Sequence, residues 1–399
     1  MKVAFWVAVI SLAVPVYAYV GYPAVLFVSA ALVQVARDLR YLMARNERRR
    51  RIRRLPTVSV IIAAHNEEAV IERTVRSLLA ADYPSERLEV LVGSDGSTDA
   101  TVSLVRRIED DRVKVFEFAQ RRGKLAVITD CARLAHGEVL VFCDANTLLQ
   151  PDAIGRLVRH FDAPHVGVVC GELRLRNPEG AATDEGFYWR YEVTLKLLES
   201  RLDATLGANG AIYAVRRDLF PTLPTHLVTD DFVIPMKIRA RGFSVVYDPE
   251  AVATEDAPAA VSGEFRRRVR IGAGNWQTLW HCKELLLPWR GFVALAFWSH
   301  KVLRWLTPFA LVPALVASGL LISLDPLWPI MFGVQVGFYG AAAVGGLMNG
   351  NRRMPGVCRA AHYFLAMNAA LALGMIRGAL GLQRPTWQRT VRHAAQGGA

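Results

Sequence analysis

Apolar and polar positions divide the chain into three regimes. From Val3 to Ala36 the sequence is almost continuously apolar, which is long enough to cross a bilayer. From Pro56 to about Ser262, short apolar runs rich in β-branched residues alternate with stretches of helical periodicity. After Trp305, long apolar segments return near Leu306–Ser323, Leu327–Leu347 and Ala361–Leu380. The middle regime predicts strands at Val58–Ala64, Leu88–Gly93, Arg112–Phe118, Glu138–Cys143 and Val166–Leu175. It predicts helices at Glu67–Ala81, Thr98–Glu109, Lys124–Ala135 and Pro151–Phe161, with Ser97 as an N-cap, Asp99 in the first turn and Pro151 at the first helical position. This β-α-β-α order predicts an α/β domain with a mostly parallel, Rossmann-like sheet wrapped by helices.

Charge and composition add a membrane to this picture. Hydrophobic residues make up 52% of the 399 positions and mean hydropathy is +0.22. The net charge is +12, and nine arginines between Arg37 and Arg54, set against Asp38 and Glu47 alone, supply seven of those charges. A basic cluster beside an apolar helix reads as a cytoplasmic flank on anionic membrane lipids. Nucleic-acid binding is the competing reading, but neither interleaved aromatics nor a binding fold accompanies the arginines. A cleaved leader ending near Val16-Tyr-Ala18 competes for the first segment. That segment exceeds the roughly 7–15 apolar residues of a leader core, and an uncleaved anchor is the better reading. Cys131, Cys143, Cys170, Cys282 and Cys358 are odd in number, without zinc or CxxC spacing. They suit reduced core thiols in a cytoplasmic domain.

The predicted organisation is therefore a transmembrane anchor at 1–36, a basic segment at 37–55 and the α/β domain at 56–262. Interfacial helices follow at 263–305, then transmembrane helices at 306–382 and a polar tail at 383–399. Trp276, Trp280, Trp289, Trp298 and Trp305 mix with Lys283, Arg290, Lys301 and Arg304, as suits helices lying at a membrane interface; a packed core helix would show the same residues. One anchor and three later spans would place the tail outside, whereas Arg384, Arg389 and Arg392 favour the inside.

The chemistry gathers where predicted strands end. Open α/β sheets bind ligands at the C-terminal ends of their strands, and three predicted strands there run into His65-Asn-Glu-Glu68, Gly93-Ser-Asp95-Gly-Ser-Thr-Asp99 and Asp144-Ala-Asn146. Asp95 at such a turn can accept hydrogen bonds from a ribose hydroxyl or a base N–H; an Asp-Ser-Thr turn also forms with no ligand. Oxygen donors two residues apart, as in Asp144 and Asn146, can grip a divalent ion, although Asn is a weaker ligand than a second carboxylate. Lys124, after a glycine, can meet a phosphate as a point charge or stand as a surface lysine. Thr229-Asp-Asp231 opens a predicted helix, Asp231–Arg241, where an acid is either an N-cap or a carboxylate kept ionised by the helix terminus. No GxGxxG follows Val58–Ala64 or Leu88–Val92, which argues against a dinucleotide oxidoreductase.

With these motifs in this order, the stretch from Pro56 to Trp276 resembles a membrane-bound family-2 glycosyltransferase of GT-A fold, in the branch of hyaluronan, chitin-oligosaccharide and poly-N-acetylglucosamine synthases. The resemblance implies an inverting transfer from a nucleotide-diphosphate sugar, most simply UDP-linked. The acceptor would be a glycan or, in the alternative, a lipid-linked acceptor that receives a single sugar. It implies that Asp95 contacts the uridine and that Ala64, His65 and Glu67 line the same pocket. It further implies that Asp144 and Asn146 hold Mg2+ or Mn2+ on the diphosphate and that Asp231 is the general base. Asp230 stands for the family's Glu, and Asn209 within Gly207-Ala-Asn-Gly210 matches an acceptor-side loop. Arg267-Arg-Val-Arg270-Ile271 departs from the family's Gln-x-x-Arg-Trp: Arg270 survives and can bind diphosphate, Arg267 adds a cation, and Ile271 removes an aromatic face. A multi-pass protein of the inner membrane with a cytoplasmic catalytic domain is expected. The sugar, the linkage and any export partner stay unnamed, and a membrane scaffold that kept the fold without activity is the non-enzymatic alternative.

Overall fold

The computed structural model describes residues 1–44, 55–176, 184–256, 261–348 and 354–383. The arginines from Arg45 to Arg54 and the tail arginines Arg384, Arg389 and Arg392 lie outside these residues. The described chain separates into two compact units, one of helices near both ends and one built around a sheet.

The sheet unit has eight strands: β1 Val58–Ala64, β2 Leu88–Asp95, β3 Val113–Phe118, β4 Val139–Asp144, β5 Leu148–Leu149, β6 Val166–Arg176, β7 Ile212–Arg216 and β8 Ser244–Asp256. Their order is β3-β2-β1-β4-β7-β6-β8-β5. β1 pairs in parallel with β2 and β4, β2 with β3, and β6 with β8. β7 is antiparallel to both β4 and β6, so the sheet is mixed and mostly parallel. All seven residues of β1 are buried, as a central parallel strand covered on both faces requires. β3, at the sheet's edge, mixes half-buried and exposed positions. Apolar side chains of β1, β2, β4 and β7 pack with Ile71, Val75, Leu78, Ile154 and Leu157 of the flanking helices in one core.

Several predicted boundaries shift. The helix expected from Thr98 begins at Thr101, because Asp99 Oδ1 accepts the Thr101 N–H at 3.0 Å while the Ser97 hydroxyl turns to Ser94 Oγ at 2.9 Å. Ser97 is therefore not the cap. Pro151 precedes the N-cap Asp152 of the helix Ala153–Val158 and lies outside it. The first predicted helix is shorter, Ile71–Leu79, since residues 65–70 serve the site instead. The helix Asp184–Arg201 and β8 were not predicted. β8 reads poorly because Asp248-Pro-Glu250 interrupts it. Those residues fall in a register gap between Cys170↔Tyr247 and Glu172↔Val252, where a proline's missing N–H does no harm. Gly171 permits that irregularity: a Cβ there would lie 2.5 Å from Ala251 O.

Three helical runs are long and apolar enough to cross a membrane: Lys2–Met43, Phe292–Leu320 and Leu327–Leu347. The second starts well before the expected Leu306, so it takes in residues anticipated as interface helices. The helix Gly356–Ala379 is not among the three; Arg359, His362, Asn368 and Arg377 break its apolar character. Three of the four expected spans thus stand as candidates among the described residues. Pro15 sits within the first run without ending it, and a π-helical turn follows at Tyr17–Gly21. A second π-helical stretch, Phe297–Val302, meets it through Tyr17 Oη and Ser299 Oγ at 3.0 Å. Gly272 and Gly374 let two helices of the helical unit touch backbone to backbone, since a Cβ on Gly374 would come 2.2 Å from Val269 O.

β2 meets the helix Lys124–Leu134 at Gly93, where an added Cβ would lie 2.3 Å from Val127 Cγ1 and 2.8 Å from Cys131 Sγ. Gly93→Ala should therefore cost about 1–3 kcal/mol by overpacking, read as a lower thermal midpoint of the detergent-solubilised protein. Adding Val127→Ala should recover part of the loss; an unchanged midpoint in the single variant would refute the close approach.

Candidate functional site

The site forms where β1, β2 and β4 end. The loops after β1 and β2 are tied to each other: Asn66 Oδ1 accepts the Thr98 N–H at 2.8 Å, Thr101 Oγ1 accepts the Glu67 N–H at 2.8 Å, and Glu68 Oε2 accepts the Ala100 N–H at 3.1 Å. Asn66 takes a positive φ of 56° in doing so, a conformation Asn tolerates better than most residues. Ala64 is buried at the end of β1. His65 is half-buried, with Nδ1 2.8 Å from the Asp95 carbonyl oxygen, a contact that orients the ring.

Asp95 is fully buried. Its two carboxylate oxygens accept the backbone N–H groups of Arg122 at 2.7 Å and Gly123 at 2.9 Å. As placed, Asp95 holds the loop that launches the helix Lys124–Leu134, and it presents no surface to solvent. Gly123 has φ 101°, a value that favours glycine, and the next residue, Lys124, begins the helix.

Lys124 then reaches β4. Its Nζ lies 2.7 Å from Asp144 Oδ1 and 3.6 Å from Asp230 Oδ2. Burial opposes the ammonium, but Asp144 and Asp230 outweigh it and raise the Lys124 pKa. The turn after Asp144 is pinned on three sides: Thr74 Oγ1 donates to Ala145 O at 2.8 Å, Thr147 N–H to Asp144 O at 3.1 Å, and the Thr147 hydroxyl to the Glu255 carboxylate. Among the described residues Asp144 makes no side-chain hydrogen bond other than that with Lys124, and Asn146 Nδ2 is buried without a partner. Asp144 Oδ2 is thus open to an ion that draws its other ligands from elsewhere, whereas the orphaned Asn146 Nδ2, an N–H donor, calls for an acceptor oxygen beside that ion. Among the described residues no group of three or more His, Cys, Asp or Glu side chains is placed to hold a metal.

Asp230 and Asp231 open the helix Asp230–Ala240. Asp230 is 4% exposed and its Oδ2 accepts no hydrogen bond. Asp231 is half-buried, and burial together with the Asp230 charge pushes its carboxyl up to about 6 against the pull of Lys124. The 207–210 loop makes room for it. Gly207 has φ 69° against Phe232, the Asp231 carbonyl accepts the Ala208 N–H at 2.7 Å, and a Cβ on Gly210 would sit 3.2 Å from Asp231 Oδ2. Asn209 donates its N–H to the buried Cys170 Sγ at 3.1 Å. The structure thus brings together Lys124, Asp144, Asn146, Asn209, Asp230 and Asp231 of the predicted set. Arg267 and Arg270 lie on the helix Val261–His281, in a stretch assigned to the helical unit.

Tyr213 was missed by sequence reasoning. It pairs with Phe142 across β4 and β7, and the two rings stack at 4.7 Å. Its hydroxyl is buried without a hydrogen bond; burial and the charges of Asp230, Asp231 and Asp144 keep it protonated. A Tyr inside an apolar strand carries no sequence signal beyond core packing. All five cysteines are free thiols, four of them buried.

Residues 59–220 match glycosyl transferase family 2. A poly-beta-1,6-N-acetyl-D-glucosamine synthase of Staphylococcus aureus (strain COL) is 25% identical over 234 residues, which cover 56% of this chain and 56% of that protein. Its counterpart of Staphylococcus epidermidis is 24% identical over 231 residues, 56% of this chain and 55% of the relative. The chain thus matches about half the length of these curated relatives. A mannosyltransferase from Pyrobaculum calidifontis, solved in complex with GDP-Man and Mn2+, superposes with a TM-score of 0.67 at 22% identity, covering 94% of this chain and 100% of that one. The match to glycosyl transferase family 2 thus lies within the sheet unit, whose mostly parallel sheet is that of a GT-A fold, and three helical runs are candidate membrane spans.

An acid whose folded-state pKa lies above its ordinary value binds its proton more tightly folded than unfolded, so stability falls as pH rises between the two values. For Asp231 that window runs from 3.8 to about 6. Asp231→Asn should therefore raise the thermal midpoint over wild type by more at pH 8 than at pH 5. An equal offset at both values would mean that the carboxyl is not raised.

Proposed function

We propose that the chain is an inverting glycosyltransferase that moves a sugar from a nucleoside-diphosphate donor, UDP-linked, to a glycan acceptor. The observation that carries the reading is the convergence of Asp144, Asp230 and Asp231 around Lys124 at the end of β4. Lys124 meets the donor diphosphate, and the loop of His65 and Glu67, held against the loop around Asp95, borders the nucleoside. Asp231 removes the proton of the acceptor hydroxyl as that oxygen bonds to the anomeric carbon, while the carbon–oxygen bond to the diphosphate breaks and its electron pair leaves with the nucleotide. A carboxyl near 6 is ionised at neutral pH yet basic enough to take a proton. Asp144 and Asn146 would hold a divalent ion, Mg2+ or Mn2+, which when bound offsets charge on the departing diphosphate.

The synthases that the chain resembles are named for poly-N-acetylglucosamine, which supports an N-acetylhexosamine donor and cell-surface glycan synthesis. The solved mannosyltransferase, bound to GDP-Man, makes GDP-mannose the control. The apolar runs and the arginine cluster at 37–54 support a place in the inner membrane with the catalytic domain cytoplasmic. Detergent-purified protein offered UDP-sugars and GDP-mannose with Mn2+ should release UDP and form product. Neither transfer nor donor hydrolysis from any donor would favour a scaffold instead. Asp231→Asn should lose about 10²–10⁴-fold in transfer with donor binding close to wild type. Transfer at the wild-type rate would remove Asp231 from the mechanism.

Product length follows from residue 271. A polymerising enzyme must hold the chain end while the nucleotide leaves, and an aromatic face stacks on sugar C–H groups. Ile271 offers no such face, although Trp276 five residues on could replace it, and the guanidinium groups of Arg267 and Arg270 are of a kind that suits phosphate. Short products or single additions are expected by mass analysis, including single additions to a lipid-linked acceptor, and Ile271→Trp should lengthen them. Long polymer from wild type, unchanged in the variant, would defeat this reading.

A further inference from the structure

The site's own cation already occupies its metal-binding acid. Lys124 Nζ bonds Asp144 Oδ1 at 2.7 Å and leans on Asp230 Oδ2 at 3.6 Å, with only 23% of its side chain exposed. Asp144 is the one charged member of the Asp144-Ala-Asn146 donor set. Mg2+ wants near-octahedral oxygen coordination and gives up its waters reluctantly. A divalent ion arriving alone finds one carboxylate oxygen free of Lys124, one neutral amide, and an ammonium beside them that repels it. A nucleoside diphosphate changes both terms, because it offers Lys124 another anion and brings oxygens of its own.

We propose that Lys124 is a built-in counter-ion that keeps Mg2+ or Mn2+ off Asp144 until a nucleoside diphosphate draws it away. Ion and nucleotide then bind as one cooperative unit. The inference rests on the proposed reading of this pocket as a nucleotide-sugar site. It also accounts for the orphaned atoms: Asn146 Nδ2 and Asp230 Oδ2 are buried without hydrogen bonds, as befits groups whose partners arrive with a ligand. Linkage makes the effect reciprocal, so whatever factor UDP adds to Mn2+ affinity, Mn2+ adds to UDP affinity.

The test is Mn2+ binding to the full chain in detergent, followed by electron paramagnetic resonance with and without saturating UDP. Wild type should bind Mn2+ on the order of 10- to 100-fold more tightly with UDP than without, and UDP should tighten equally with Mn2+. Lys124→Met, checked for a cooperative melt, should bind Mn2+ more tightly than wild type in the absence of nucleotide and should show a smaller coupling factor. Lys124→Gln, which also removes the charge but keeps a polar side chain, should give the same two changes and serves if Lys124→Met does not fold. Wild type that binds UDP yet binds Mn2+ equally well without it would overturn the proposal, as would a folded Lys124→Met with unchanged coupling. Failure to bind UDP under any condition would overturn the nucleotide-sugar reading, and the inference with it.

Discussion

Asp144, Asp230 and Asp231 cannot all be ionised in a half-buried pocket without cations among them, and Lys124 is the one that bonds Asp144 and faces Asp230. Its position is the product of a short causal chain. Gly93 lets the helix Lys124–Leu134 lie close to β2. Asp95, at the end of β2, accepts two backbone N–H groups and so fixes where that helix starts. The ammonium then falls between Asp144 of β4 and Asp230 of the next site helix. Loosening any of these contacts would move the charge on which the others depend.

The same geometry explains why two adjacent acids behave differently. Asp230 faces Lys124 from a nearly inaccessible position, whereas Asp231 lies beside the glycine at 210 and remains half-open. Asp230 therefore acts on Asp231 chiefly through its charge, lifting the carboxyl that the proposed reaction needs as a base. A pair that looks like one acidic motif in the sequence divides into an electrostatic neighbour and a reachable group.

Much of this was legible in the sequence where the physics is local. Strands buried on both faces read as unbroken β-branched runs, so β1 and β4 emerged within a residue of their observed bounds. Features that depend on tertiary pairing were not legible. β8 hides behind Asp248-Pro-Glu250, whose place in a register gap only its neighbour β6 reveals. The helix Asp184–Arg201 carries no clean apolar stripe. The engagement of Asp95 by Arg122 and Gly123 could not be read, because those residues lie nearly thirty positions away. Lys124 read as a phosphate contact, and nothing in its sequence neighbours announced that it already bonds Asp144.

Unmet hydrogen bonds point the same way. A buried polar group without a partner costs about 1–3 kcal/mol, and native folds keep few of them. Among the described residues six side-chain atoms stand in that condition, and three of them, on Asn146, Tyr213 and Asp230, belong to the neighbourhood of Lys124. Core packing alone would have favoured Phe at 213, which keeps the stack on Phe142 and discards the unsatisfied hydroxyl. A fold that carries such costs around Lys124 leaves polar groups wanting partners, and the proposed occupant, a nucleoside diphosphate with its ion, would supply them.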